Sequence, residues 1–215
     1  MKHVGLMLIG VLFASLAAIG AFGQSMQMEG TNNGAMTMHH MHEAGPPVTF
    51  AEMKDTVARL DAARHATEKY QDVRVALADG YEAIGPDVPG MGIHYVRRRG
   101  GSDAFDLEHP PILLYEKDAS VPGGAALVGV SYLFRAAAGD DGQPVDPPFP
   151  KSLAKWHRHE NICVLPDNST PPGLSSEQCA AKGGHFTAET QWMIHAWIWK
   201  DSPTGVFSPT NPAVR

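Results

Sequence analysis

The sequence predicts an α+β domain, a long N-terminal helix packed on an antiparallel β-sheet or small β-barrel. Three observations predict it. Between residues 48 and 80, apolar side chains recur every three or four positions. Beyond residue 85, that period gives way to short runs of β-formers punctuated by Gly and Pro. The composition agrees: 22 Gly and 17 Pro in 215 residues, with charged residues at 19%, suit a loop-rich sheet better than a helical bundle. A net charge of −6 leaves no basic footprint, so nucleic acid is not an expected partner.

Residues 1–23 read as a secretory signal peptide. Lys2 precedes an apolar run from Val4 to Phe22, and Ala21 and Gly23 supply small residues before a cut at Gln24. Removal of this leader predicts a periplasmic or secreted protein with no stable membrane insertion. Residues 24–47 have no apolar period and read as a disordered tail rich in Met and His. Within it, Met36, Met38, His39, His40, Met41 and His42 combine thioether with imidazole, donors suited to copper and similar soft ions.

The single folded domain is expected over 48–215. Phe50, Met53, Val57 and Leu60, and then Ala66, Tyr70, Val73 and Leu77, mark the helix faces. Thr49 with Glu52 forms a capping box at the start, and Gly80 stops the helix. A bend near Arg64 and His65 would turn both apolar sets toward one core. Strands are expected at 92–98, 111–117, 125–136, 153–164 and 192–199. SSEQCAAKGG reads as a short helix capped by Ser175 or Ser176, and 201–215 as an extended segment wrapped on the sheet.

Cys163 and Cys179 both lie in the exported part, where a disulfide is the default. That pairing removes Cys163 as a nucleophile; the rival reading is two thiolate metal ligands, against which the two sit far apart and neither belongs to a C-x-x-C pair.

Eleven histidines against 17 Lys and Arg carry the functional expectation. His157 and His159 are two apart, so on a strand both rings point to one face, about 6.5–7 Å apart. Two such imidazoles can share one metal, and His94 and His195 sit in other expected strands as further ligands. His195 lies in WMIHAWIW, a run apolar on both faces, which reads as a central strand. His185 and Glu116 are secondary candidates. Glu160 follows His159 directly and points to the other face, and Arg97, Arg98 and Arg99 read as a solvated strand end. The cofactor expected is a transition metal ion, Cu or Zn.

The H-x-H pair in an exported β-rich chain resembles the cupin superfamily at His157, His159 and His195, although Glu160 stands directly beside the pair rather than several residues on. A wider likeness covers most of residues 70–212. GMGIHY (90–95), PILLYE (111–116), WHRHENIC (156–163) and WMIHAWIWKDSPTGVF (192–207) are similar to an uncharacterised family of small exported proteins. That resemblance implies a shared fold and site and carries no activity with it. Three functions remain open. The first is a transition-metal-binding protein with a multi-histidine site and a metal-capturing tail. The second is a metal-dependent enzyme using an open histidine site, with Trp156, Tyr95 and Trp197 around a pocket. The third is a non-metal module gripping a ligand on exposed aromatic rings. No particular protein partner is indicated.

Overall fold

The structure, a computed structural model, describes residues 47–97 and 105–215. The expected leader, the Met36–His42 segment, Arg98 and Arg99 lie outside the described residues.

Helix α1 spans Phe50–Thr67 and begins as its sequence dictates. The Thr49 hydroxyl accepts the Glu52 N–H at 3.2 Å, and the Glu52 carboxylate accepts the Thr49 N–H at 2.7 Å. Two amide protons without intrahelical partners are thereby satisfied. The helix tightens into a 3₁₀ turn over Glu68–Gln71 and restarts as α2, Val73–Ala78. The break falls at Asp72 rather than near Arg64. Asp72 is extended and accepts the Arg74 N–H, so its carboxylate caps a new helix instead of continuing the old one. Gly80 then leaves the helix with a φ of +87°.

The buried line of α1 differs from the expected one. Thr56, Ala63 and Thr67 are buried, whereas Phe50 is 84% exposed and Met53 and Val57 are also exposed. Of the expected residues, Leu60 packs against the helix-side core, and Tyr70 and Val73 beyond α1 are buried in it. Thr67 accepts from the indole N–H of Trp199 at 3.0 Å, and the Arg64 guanidinium lies 4.7 Å over that ring and donates to the Ile198 carbonyl.

Among the described residues, five strands form one antiparallel sheet in the order β1-β2-β3-β4-β7, and two form a separate hairpin, β5-β6. The large sheet contains β1 (Tyr81–Val88), β2 (Gly92–Arg97), β3 (Ile112–Lys117), β4 (Ala125–Phe134) and β7 (Trp192–Ala196). It is an open sheet, so the barrel alternative does not hold. The hairpin pairs β5 (Glu160–Val164) with β6 (His185–Glu189), and α3 (Ser176–Ala181) lies between them in sequence, capped by Ser175. Cys163 on β5 and Cys179 on α3 form a disulfide that ties this subassembly together. Among the described residues, no helix is long and apolar enough to cross a membrane.

The sheet divides the core. Cross-strand partners share a face. One face presents Tyr95, Leu113, Tyr115, Val130, Tyr132, Ile194 and Ala196 to the helices, with the Tyr115 hydroxyl donating to the Tyr70 carbonyl at 2.6 Å. The other face carries Ile112, Leu114, Met193 and Trp197. The C-terminal segment covers it, as the sequence suggests. Val214 is buried there, and Asn211, fully buried, donates to the carbonyls of Lys200 and Asp201 while its N–H bonds Gly90.

Two strands escape the sequence patterns. β1 holds Gly85 and Pro86 and a register shift between Ile84 and Val88, interruptions that an edge strand tolerates. β6 is a short run, HFTAE, mostly exposed. The strand expected over 153–164 is ordered as β5 only from Glu160; before it, His157 makes an isolated antiparallel bridge to Met193.

Candidate metal centre

Four histidines from three regions of the chain meet on the covered face of the sheet. β2 contributes His94 and β7 contributes His195, with ring centroids 5.6 Å apart. His157 lies 5.4 Å from His195, and His159 lies 5.1 Å from His157. β4 lies between the strands of His94 and His195 and offers this face Gly129 and Ser131, opposite Leu114 and His195 respectively. A Cβ on Gly129 would meet the Ala196 carbonyl oxygen at 2.8 Å and the Trp197 ring at 3.1 Å, so glycine there admits the close approach of Trp197.

The 157–159 segment reaches the site by flanking β7. His157 exchanges both backbone hydrogen bonds with Met193, at 3.0 and 2.7 Å. The His159 N–H donates to the Thr190 hydroxyl at 2.9 Å, and its carbonyl accepts from Thr190 N–H. The two-residue alternation expected of a strand survives. Trp156 joins the helix-side core, and Arg158 lies 4.2 Å over Trp192 and pairs with Glu189, while His157 and His159 turn toward His195. β7 is therefore the outermost of the five strands rather than a central one, but its free edge is covered by this segment.

The ring nitrogens divide into anchored and unpartnered atoms. His195 Nδ1 lies 2.7 Å from the Pro209 carbonyl, and His157 Nδ1 lies 3.1 Å from the Lys155 carbonyl. A carbonyl only accepts, so each Nδ1 carries the proton and each Nε2 presents its lone pair. Both Nε2 atoms are buried and without a hydrogen-bond partner, as are His159 Nδ1 and the hydroxyl of Ser131. Metal-ligating imidazoles are commonly anchored in this way, through one nitrogen to a carbonyl with the other left free.

Electrostatics hold the rings in their ligand form. Burial pushes the His94 ring down to about 4, with His157 adding repulsion. His159 falls to about 4 for the same first reason, with His157 and His94 opposing a second charge. Burial also lowers His157, against the pull of the Lys155 carbonyl. His195 is lowered further by burial and then by the other three rings, with the Pro209 carbonyl opposing. Burial is the first cause at every ring, repulsion from neighbouring rings adds to it at His94, His159 and His195, and all four are neutral near pH 7.

The remaining expected residues stand apart. His185 is exposed on β6 opposite Val164. Glu116 is committed to Lys200, whose ammonium it holds, and to the Arg215 N–H. Glu160 is exposed opposite Glu189. Tyr95 packs on Tyr115 on the helix side, so it does not line the same space as Trp197, whose ring is 5.5 Å from His195. Trp156, Trp192 and Trp197 are buried, which leaves no row of exposed indoles among them for a ligand-gripping surface. Ser131 and the carbonyls of Lys155 and Pro209 were not foreseeable as site groups. A serine amid ALVGVSYLF is a weak signal, and a backbone carbonyl gives none.

Among the described residues, no group of three or more His, Cys, Asp or Glu side chains meets the geometry of a metal site as it stands. Comparison with known proteins finds no matching family model, no matching curated protein and no matching solved structure.

Proposed function

We propose that this chain is a periplasmic or secreted transition-metal-binding protein whose centre is formed by His94, His157, His159 and His195. The observation that carries the reading is the pair of anchored rings, His157 and His195, with buried and unpartnered Nε2 atoms. Buried polar atoms in folded proteins find partners, and an orphan cluster of this kind asks for water or an ion. Neutral imidazoles converging on one space favour the ion.

The spacing supports the same reading. A nitrogen–metal bond of about 2.0–2.1 Å places two ring centroids about 5 Å apart around a tetrahedral ion. Three ring pairs stand near that distance: His157–His159 at 5.1 Å, His157–His195 at 5.4 Å and His94–His195 at 5.6 Å. The Met36–His42 segment would capture metal ahead of this centre.

Metal analysis of the purified mature chain tests the proposal. Stoichiometric Cu or Zn that survives dialysis and disappears in His195→Ala supports it. Protein free of metal, with thermal stability unmoved by added Cu or Zn, ends it.

A further inference from the structure

We infer that the four-histidine centre is built for a monovalent soft ion, Cu(I), in preference to Zn(II) or Cu(II). The inference rests on the metal-centre proposal above and adds the class of ion. It follows from the charge balance of the site. All four rings are neutral donors, and the hydrogen-bond partners of His157 and His195 are backbone carbonyls rather than carboxylates. Both cysteines are consumed by their disulfide, so no thiolate is available. The carboxylates considered as ligands are engaged elsewhere: Glu116 holds Lys200, and Glu160 is exposed. Among the described residues, no ion pair joins a carboxylate to any of the four rings.

An ion bound here would keep its full charge in apolar surroundings. Ile112, Leu114, Met193, Trp197 and Val214 form the packed cluster on this face. The cost of moving an ion out of water rises with the square of its charge, so a dication costs about four times as much as a monocation of the same size. Zinc sites with three histidines offset this charge through a bound hydroxide, which needs an open coordination position. Here His157, His159 and His195 are only 6%, 7% and 1% exposed and His94 is half-buried, so three of the four donors are closed to solvent. Softness points the same way. Met193 lies two residues from His195 on the same strand face and is buried there, so a thioether stands on the face that carries the imidazoles. Thioether donors select Cu(I). The ion is taken up already as Cu(I), so no redox step is involved.

The test uses the full mature chain. Cu(I) is offered in ascorbate under nitrogen from a competing chelator, and Zn(II) and Cu(II) are each offered from a chelator of known affinity. The share belonging to the centre is the equivalent lost in His195→Asn, because the Met36–His42 segment is unchanged by it. His157→Asn serves as a second variant should the first not fold, as judged by circular dichroism. In both, the amide N–H₂ can still donate to the carbonyl that the ring's Nδ1–H now meets. The expected result is one equivalent of Cu(I) at the centre, at least 100-fold tighter than either dication. Equal or tighter binding of Zn(II) or Cu(II) at that centre overturns the inference and leaves the metal centre standing. No variant-sensitive binding of any of the three overturns both.

Discussion

Replacing His195 with asparagine separates two things that alanine would confound. The asparagine amide nitrogen falls near the position of Nδ1, so the hydrogen bond to the Pro209 carbonyl, 2.7 Å in the native chain, is retained. What disappears is Nε2, which has no partner to lose. The metal-free variant should therefore give up only about 1 kcal/mol, the packing cost of a smaller side chain in a buried space. The metal response should change much more. An ion that binds only the folded state stabilises it by about 2.7 kcal/mol when its free concentration is 100 times Kd. For a domain of this size each kcal/mol moves Tm by about 2–4 °C, so the native chain should gain about 5–11 °C. Differential scanning calorimetry with and without buffered Cu(I) reads both quantities. A native chain that gains several degrees beside a variant that gains none is the expected outcome. Equal gains in the two proteins would place the ion elsewhere and refute the geometric reasoning.

Three further expectations can be checked by ordinary stability measurements. The metal-free chain should weaken in acid: the unfolded state takes up protons on His94 and His159 near pH 6.5, whereas the folded state refuses them until about pH 4. Between those limits the unfolded state binds more protons, so stability falls as pH drops, by up to about 1.4 kcal/mol per ring per pH unit; urea denaturation at pH 7.5, 6 and 5 with an unchanged midpoint would contradict it. Reducing the Cys163–Cys179 disulfide should cost about 3 kcal/mol, and Gly184→Ala should strain the same corner, because a Cβ there would lie 2.8 and 2.9 Å from the two sulfurs; a Tm unmoved by either change would count against this account of the corner. Phe50→Ser and Val57→Gln should each alter stability by about 0.5 kcal/mol or less, since both side chains are exposed, and a loss of several kcal/mol in thermal melts would show that the α1 face is packed after all.

The elements legible in the sequence are those whose local signals agree with their surroundings. Thr49 and Glu52 cap α1 because the capping box needs nothing from the rest of the chain. β2, β3 and β4 are dense in β-formers and bounded by Gly or Pro, and they stand within two residues of their expected limits. The face of α1 is different. Periodicity selected the large apolar residues Phe50, Met53, Val57 and Leu60, of which Leu60 packs on the core, but the buried positions of α1 are the small ones, Thr56, Ala63 and Thr67. Arg64 and Thr67 bond the Ile198–Trp199 segment there. A hydrophobicity pattern cannot register such positions, because threonine and alanine carry too little apolar area to dominate it.

The histidine cluster was legible for a related reason and illegible beyond it. The two-residue spacing of His157 and His159 implies a shared side of any extended segment, whether or not a full ladder forms, and a single bridge to Met193 sufficed to hold it. His94 and His195 could be named as candidates because strands collect alternate residues on one face, but β3 and β4 lie between their strands, so their meeting becomes visible only once the strand order is known. The carbonyls of Lys155 and Pro209 are more distant still from any sequence signal, because every residue has one. Yet they decide which nitrogen of each ring is free, and so they turn histidines that share a face into candidate ligands. The dependence runs through the C-terminal segment: Asn211 pins it to Lys200, Asp201 and Gly90, and that attachment holds the Pro209 carbonyl over His195. A site that reads as four imidazoles is thus completed by a loop with no ionisable ligand of its own.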